Sequence, residues 1–148
     1  MRHWGAQLKQ VQAGACEIWL PYSDKVSQQQ ASFHGGAMGA LADIAGGYAA
    51  LTVAPAGMEV TTVEYKINFL AACTGGVLQA RGRVLKAGRR AIVTAAEVTH
   101  LSDEGVPTLC AVMQQTIMPV PIKSSGAVPG VSDSGVIERT SSESGERP

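Results

Sequence analysis

Hydrophobic positions along the chain change their spacing part-way through. Ala15 to Leu20 is a short apolar run closed by Pro21, which predicts a strand, and the residues before it read as a short arm of no clear period. Ser23 to Ser32 is polar, with Gln28, Gln29 and Gln30 in succession, and predicts a loop. Ala37 to Ala54 is apolar on nearly every face and built from small residues. A helix of that kind must be surrounded by protein, and Pro55 and Gly57 stop it. From Thr61 the period becomes two, with Val63, Tyr65, Ile67 and Phe69 on one face and Thr62, Glu64, Lys66 and Asn68 on the other.

Thr74-Gly75-Gly76 turns the chain into a second alternating run through Leu78, Ala80, Gly82 and Val84. Lys86 to Arg90 is the next turn, Ala91 to Leu101 a further strand, and Asp103-Glu104-Gly105 a hairpin signal. A last strand runs from about Thr108 to Met118. The order is strand, loop, one long helix, then four strands in a meander. That order excludes a βαβ sheet and predicts an α+β fold in which one antiparallel sheet covers one helix. Such a sheet leaves an edge and part of the helix uncovered, so self-association is expected. Residues 1–121 form a single domain on this reading. The remainder, 122–148, reads as a disordered tail, since half of Lys123 to Pro148 is Ser, Gly or Pro.

Composition narrows the picture further. The 148 residues are 45% hydrophobic but only 5% aromatic, so the core is aliphatic and small. Twelve basic residues balance twelve acidic ones, which removes the electrostatic case for nucleic-acid binding or a polybasic membrane contact. Gly35 to Gly57 carries one charge, but its Ala and Gly content and the central Asp43 make it a buried helix rather than a membrane span. Three scattered cysteines, Cys16, Cys73 and Cys110, argue against a disulfide scaffold. With no apolar leader at the N-terminus, they point to the cytoplasm. Metal-ligand spacing, a Walker loop, a dinucleotide fingerprint and a G-x-S-x-G elbow are all absent from the sequence.

Two features carry chemistry. Phe33-His34-Gly35-Gly36 stands directly before the helix, where glycine amides face outward from the positive end of the helix dipole. That arrangement suits an oxyanion on a carbonyl under attack, although glycines there also permit tight packing. Asp43 is a lone carboxylate in an apolar helix, a costly placement unless it is paired, hydrated or functional, as base or nucleophile in a partly dry site. His34 and Asp43 are nine residues apart, about 13.5 Å of rise and two and a half turns, which places them on opposite helix faces. If both serve one site, two chains must share it. His100 and His3 have no partner pattern, and His100 reads as structural. Glu64 and Lys66 read as a surface pair.

Together these residues resemble the hotdog-fold acyl-CoA thioesterases, in particular the PaaI-like branch of phenylacetate degradation. The likeness rests on His34-Gly35-Gly36-Ala37-Met38-Gly39-Ala40-Leu41-Ala42-Asp43, on Thr61 to Leu70, and on Gly82 to Arg90, and covers roughly Ala13 to Pro119. It implies a hotdog fold with a five-stranded antiparallel sheet around the helix. It also implies dimers that join sheets edge to edge, often paired into tetramers, with the active site at the dimer interface. By matching positions, Gly35 offers the oxyanion amide beside Gly36, His34 orders that loop, and Asp43 from the partner chain is the base or nucleophile. Thr62 helps hold the water. Gln28, or Gln29 if the loop shifts, stands where many relatives carry an asparagine that polarises the thioester carbonyl. Lys86, Gly88, Arg89 and Arg90 form a basic turn suited to coenzyme A phosphates, although such a turn is often only solvated.

The resemblance therefore implies hydrolysis of acyl-CoA to coenzyme A and a carboxylic acid, with no cofactor beyond the coenzyme of the substrate and no metal. Two rivals stand beside it. A hotdog hydratase would need its His and acid close together. A non-catalytic acyl-CoA sensor would be expected to lack the acid.

Overall fold

In a computed structural model that describes residues 1–122, one helix, α1 (Gly35–Leu51), lies against an antiparallel sheet. The strands are β1 (Gln7–Gln12), β2 (Ala15–Pro21), β3 (Met58–Phe69), β4 (Val77–Ala87), β5 (Ile92–Leu101) and β6 (Pro107–Pro121). Their order across the sheet is β1-β2-β4-β5-β6-β3. This is the expected α+β hotdog architecture with six strands rather than five. The difference is β1, which the aperiodic arm concealed. Every residue of β1 is exposed, so no alternation marks it, and it is a strand because Gly14 (φ 75°) folds it back onto β2. The tail expected over 122–148 lies outside the described residues apart from Ile122.

The helix starts at Gly35 rather than Ala37 because His34 caps it, its Nδ1 accepting the Gly36 N–H at 2.9 Å. It ends at Leu51 rather than Ala54. The Thr52 hydroxyl donates to the Ala49 carbonyl at 2.6 Å and accepts the Gly14 N–H at 2.7 Å, drawing the chain away from the helical path. Leu41, Ala42, Ala45 and Ala49 pack against Leu20, Leu78, Ala80 and Val98 in the core. Small side chains bring helix and sheet together at Gly82, where a Cβ would overlap the backbone of Ala45 and Gly46.

One irregularity of β3 corrects the alternation expected there. Thr62 pairs with Ile117 and Glu64 with Thr116, which leaves Val63 as an extra residue in the ladder. The bulge turns Thr62 to the helix side, the side of Tyr65, Ile67 and Phe69. The expected Glu64–Lys66 pair does not form, since Lys66 donates to Asn68 Oδ1 at 2.7 Å and Glu64 accepts from the Thr116 hydroxyl. β3 has a partner on one side only, and Val63, Tyr65 and Phe69 are about half exposed. No described helix is long and apolar enough to cross a membrane. Cys73 and Cys110 are not separate thiols: the loop after β3 meets the start of β6, and they form a disulfide across 37 residues, while Cys16 is free and buried.

Candidate active site

The residues before the helix are held by short-range contacts. The Phe33 ring is buried and meets Tyr22 edge-on at 5.1 Å, while the Phe33 N–H donates to the Cys73 carbonyl at 2.8 Å. The His34 N–H donates to the Val26 carbonyl at 2.8 Å, and the Gln28 N–H closes the glutamine loop onto the Ser32 carbonyl at 2.8 Å. His100 has the structural place expected of it, its Nε2 2.9 Å from the Gly75 carbonyl and its ring against Phe33. Gly36 has its N–H satisfied by the His34 ring, whereas no described residue accepts the Gly35 N–H. Gly35 borders an apolar cavity of about 370 Å³ with Gln28, Phe33, Met38, Phe69 and Leu70. A side chain at position 35 would stand 3.4 Å from the Phe69 ring.

Asp43 lies two turns further along, on the face turned to β3, and is part-buried. Its Oδ1 accepts from the Thr62 hydroxyl at 2.8 Å and from Gln115 Nε2 at 2.6 Å. Thr62 is aimed there by the Val63 bulge. Within the chain, Asp43 does not line the cavity beside Gly35. The structure thus groups Gln28, His34, Gly35 and Gly36 at the helix N-terminus, and Asp43 with Thr62 elsewhere on the helix. The two groups are separated along the helix, and both meet β3, Gly35 beside Phe69 and Asp43 at Thr62.

The turn of Lys86, Gly88, Arg89 and Arg90 joins β4 to β5. Its three cations are exposed and form no ion pair with described residues. The hairpin closes where the Gly88 N–H donates to the Ala91 carbonyl at 2.9 Å. Ile92, just past this turn, neighbours Ile117, and Ile117 neighbours Thr62, so the turn belongs to the Asp43 end of the sheet. A second depression of about 390 Å³ lies on the far side of the sheet, among Gln12, Glu17, Arg81, Arg83 and Glu97. None of the predicted site residues borders it.

The sequence profile of the thioesterase superfamily matches residues 30–106, which include the helix-capping stretch, Asp43 and Thr62. The chain belongs to the thioesterase superfamily. A thioesterase family protein from Silicibacter pomeroyi has a similar solved structure, with TM-score 0.79 and 31% identity, over 82% of this chain and 88% of that one. The PaaI protein from the phenylacetic acid degradation operon of E. coli shares the fold, with TM-score 0.71 and 20% identity over 80% of this chain and 82% of that one. A protein of Saccharolobus solfataricus, named provisionally as an esterase, is 37% identical over 87 residues. That match takes in 59% of this chain and 61% of the relative's length.

In this superfamily member, sequence reasoning overlooked two residues beside Asp43. Gln115 and Thr94 are buried, directly opposed on β6 and β5, and bonded to one another at 2.9 Å. A glutamine in the alternating run Ala111, Met113, Gln115, Ile117 was the available signal: a polar residue on the inward phase of a strand asks for a partner.

Proposed function

We propose that the chain hydrolyses acyl-CoA thioesters, releasing coenzyme A and a carboxylic acid, at a site shared between two copies. The observation that carries this reading is the unpartnered N–H of Gly35, a residue that stands at the positive end of α1 and borders an apolar cavity. A thioester carbonyl seated there would have its developing negative charge taken up by that amide. The His34 ring occupies the Gly36 N–H and so fixes the turn that presents Gly35. Gln28 borders the same cavity and would polarise the carbonyl through its side-chain amide.

Asp43 is the base that draws a proton from water as the water attacks the carbonyl carbon, or is itself the nucleophile, with Thr62 holding the reacting group. Asp43 reaches the substrate from the partner. Antiparallel pairing of the free edge of β3 with the same edge of a second copy would bring the Thr62 half of one strand beside the Phe69 half of the other. Phe69 covers Gly35 and Thr62 holds Asp43, so each pairing completes a site. Lys86, Arg89 and Arg90, with the Gly88 backbone, would take the phosphates of coenzyme A. On this reading the enzyme works as a dimer or pair of dimers, needs no metal and no separate cofactor, and engages neither nucleic acid nor membrane.

The test is thiol release from a panel of short, medium, long and aryl acyl-CoAs, with wild type beside Asp43→Asn. Turnover that collapses in the variant while its oligomer and coenzyme A binding persist supports the reading. Tight acyl-CoA binding without turnover for any acyl group overturns it in favour of a sensing module.

A further inference from the structure

We propose that Gln115, set by Thr94, is a positioning residue that decides which oxygen of Asp43 meets the reacting water. The inference rests on the hydrolase reading above and adds to it residues that the site's sequence pattern does not contain.

Gln115 is 1% exposed and Thr94 0%, so both polar groups are removed from water and must be satisfied within the protein. Thr94 donates its hydroxyl hydrogen to Gln115 Oε1 at 2.9 Å. That bond fixes the orientation of the amide. Its Nε2 then donates one hydrogen to Asp43 Oδ1 at 2.6 Å and one to the Asp43 carbonyl at 3.1 Å. The reversed amide would set Oε1 against two acceptor oxygens with no hydrogen between them. Both hydrogens of the amide are used, and both end on Asp43.

The consequence falls on the carboxylate. Oδ1 accepts from Gln115 and Thr62 together, while Oδ2 accepts from no described residue. Two donors from two strands fix the plane of the carboxylate, and Oδ2 is the oxygen left for water. Gly46, less than one turn after Asp43, gives the amide its space. A Cβ there would overlap Gln115 Oε1 and come 2.9 Å from Thr94 Oγ1. A buried cross-strand pair is ordinarily apolar. Here the two polar members and the glycine beneath them converge on one acid.

The test compares Gln115→Met, which keeps length without donors, with Thr94→Val and Thr94→Ser, which lose and keep the hydroxyl. Steady-state kinetics and melting temperature are measured for each beside wild type and Asp43→Asn. Gln115→Met should lower kcat about tenfold or more, as misplacing a reacting group does, with KM held within about twofold. Thr94→Val should lower kcat in the same sense, and Thr94→Ser should recover most of it. A Gln115→Met protein that melts lower but keeps wild-type kcat overturns the inference, as does Thr94→Ser behaving like Thr94→Val. If Gln115→Met does not fold, the Thr94 pair decides by the same criterion. Wild type without turnover removes the hydrolase reading and this inference with it, while undiminished turnover in Asp43→Asn leaves hydrolysis standing and removes the role of Asp43 together with this inference. Turnover lost in Asp43→Asn but kept in Gln115→Met removes only the inference.

Discussion

Thr62 donates its hydroxyl hydrogen to Asp43 Oδ1 at 2.8 Å, and the bond exists because Val63 is an extra residue in the ladder between β3 and β6. In an unbroken strand Thr62 would share a face with Glu64 and point away from the helix. Replacing Thr62 by Val should lower kcat about tenfold or more, as loss of one hydrogen bond to a charged group does, while Thr62→Ser keeps most of it. Deleting Val63 removes the extra residue and makes Thr62 and Glu64 direct neighbours on opposite faces. Thr62 then stays opposite Ile117 on the helix side, so the deletion should be milder than Thr62→Val. Kinetics of the three variants beside their melting curves check the claim, and a fully active Thr62→Val would refute it.

Two glycines separate packing from positioning. At Gly82 a methyl group would meet the rigid backbone of Ala45 and Gly46, so Gly82→Ala should destabilise by about 3 kcal/mol or more through overpacking. At Gly46 the obstacle is the movable end of Gln115. Gly46→Ala should cost less, about 1–2 kcal/mol for an amide deprived of partners, and should lower kcat where Gly82→Ala, if folded, does not. Denaturant unfolding and steady-state kinetics on both variants distinguish the two effects.

A shared site predicts complementation. Asp43→Asn and Gly35→Val each remove one half of every site and should be inactive alone. Refolded together in equal amounts, they should recover about a quarter of wild-type activity, because half of the dimers are mixed and each of those has one intact site. A mixture no more active than its components would place the whole site within one chain.

Glu17 links stability to pH. Burial pushes its carboxyl up, but hydrogen bonds from Arg81, Gln79 and Trp19 and the Arg81 charge outweigh burial and hold it below the ordinary value of 4.5. A depressed folded-state value contributes stability above the unfolded value and loses it as pH falls through the folded one. Glu17→Gln should therefore melt below wild type at neutral pH, with the gap closing as the pH drops below about 4.5. Melting curves from pH 7 to pH 3 test this, and a gap that widens in acid would contradict it.

Cys16 should be inert while the chain is folded. Burial first, and the neighbouring Glu17 charge second, push its thiol up to about 11. At pH 8 its thiolate is scarcer than that of an ordinary cysteine by on the order of a hundredfold. A thiol reagent should react with it at the ordinary rate only in denaturant, and rapid labelling of native protein would show the site to be open.

Much of the fold is legible without coordinates because period and punctuation are local. Small residues on every face of α1, glycines at its turns and alternation in the strands each report on their own neighbourhood. The same locality explains the misses. β1 has no buried face and so no period. The Val63 bulge leaves no mark in an alternating run, because a single extra residue alters the phase of the strand without altering its composition. Cys73 and Cys110 are distant along the chain and meet only through sheet topology.

The candidate site divides in the same way. By itself the sequence determined a His34-Gly35-Gly36 stretch directly before the helix and an acid nine residues after His34, since both follow from spacing alone. Only the tertiary structure decided what surrounds that acid. Thr62, Gln115 and Thr94 come from three strands, at sequence separations of 19 to Asp43 for Thr62, 72 to Asp43 for Gln115 and 21 to Gln115 for Thr94. Their convergence depends on strand register and one bulge, and register is a property of paired strands that no single segment contains.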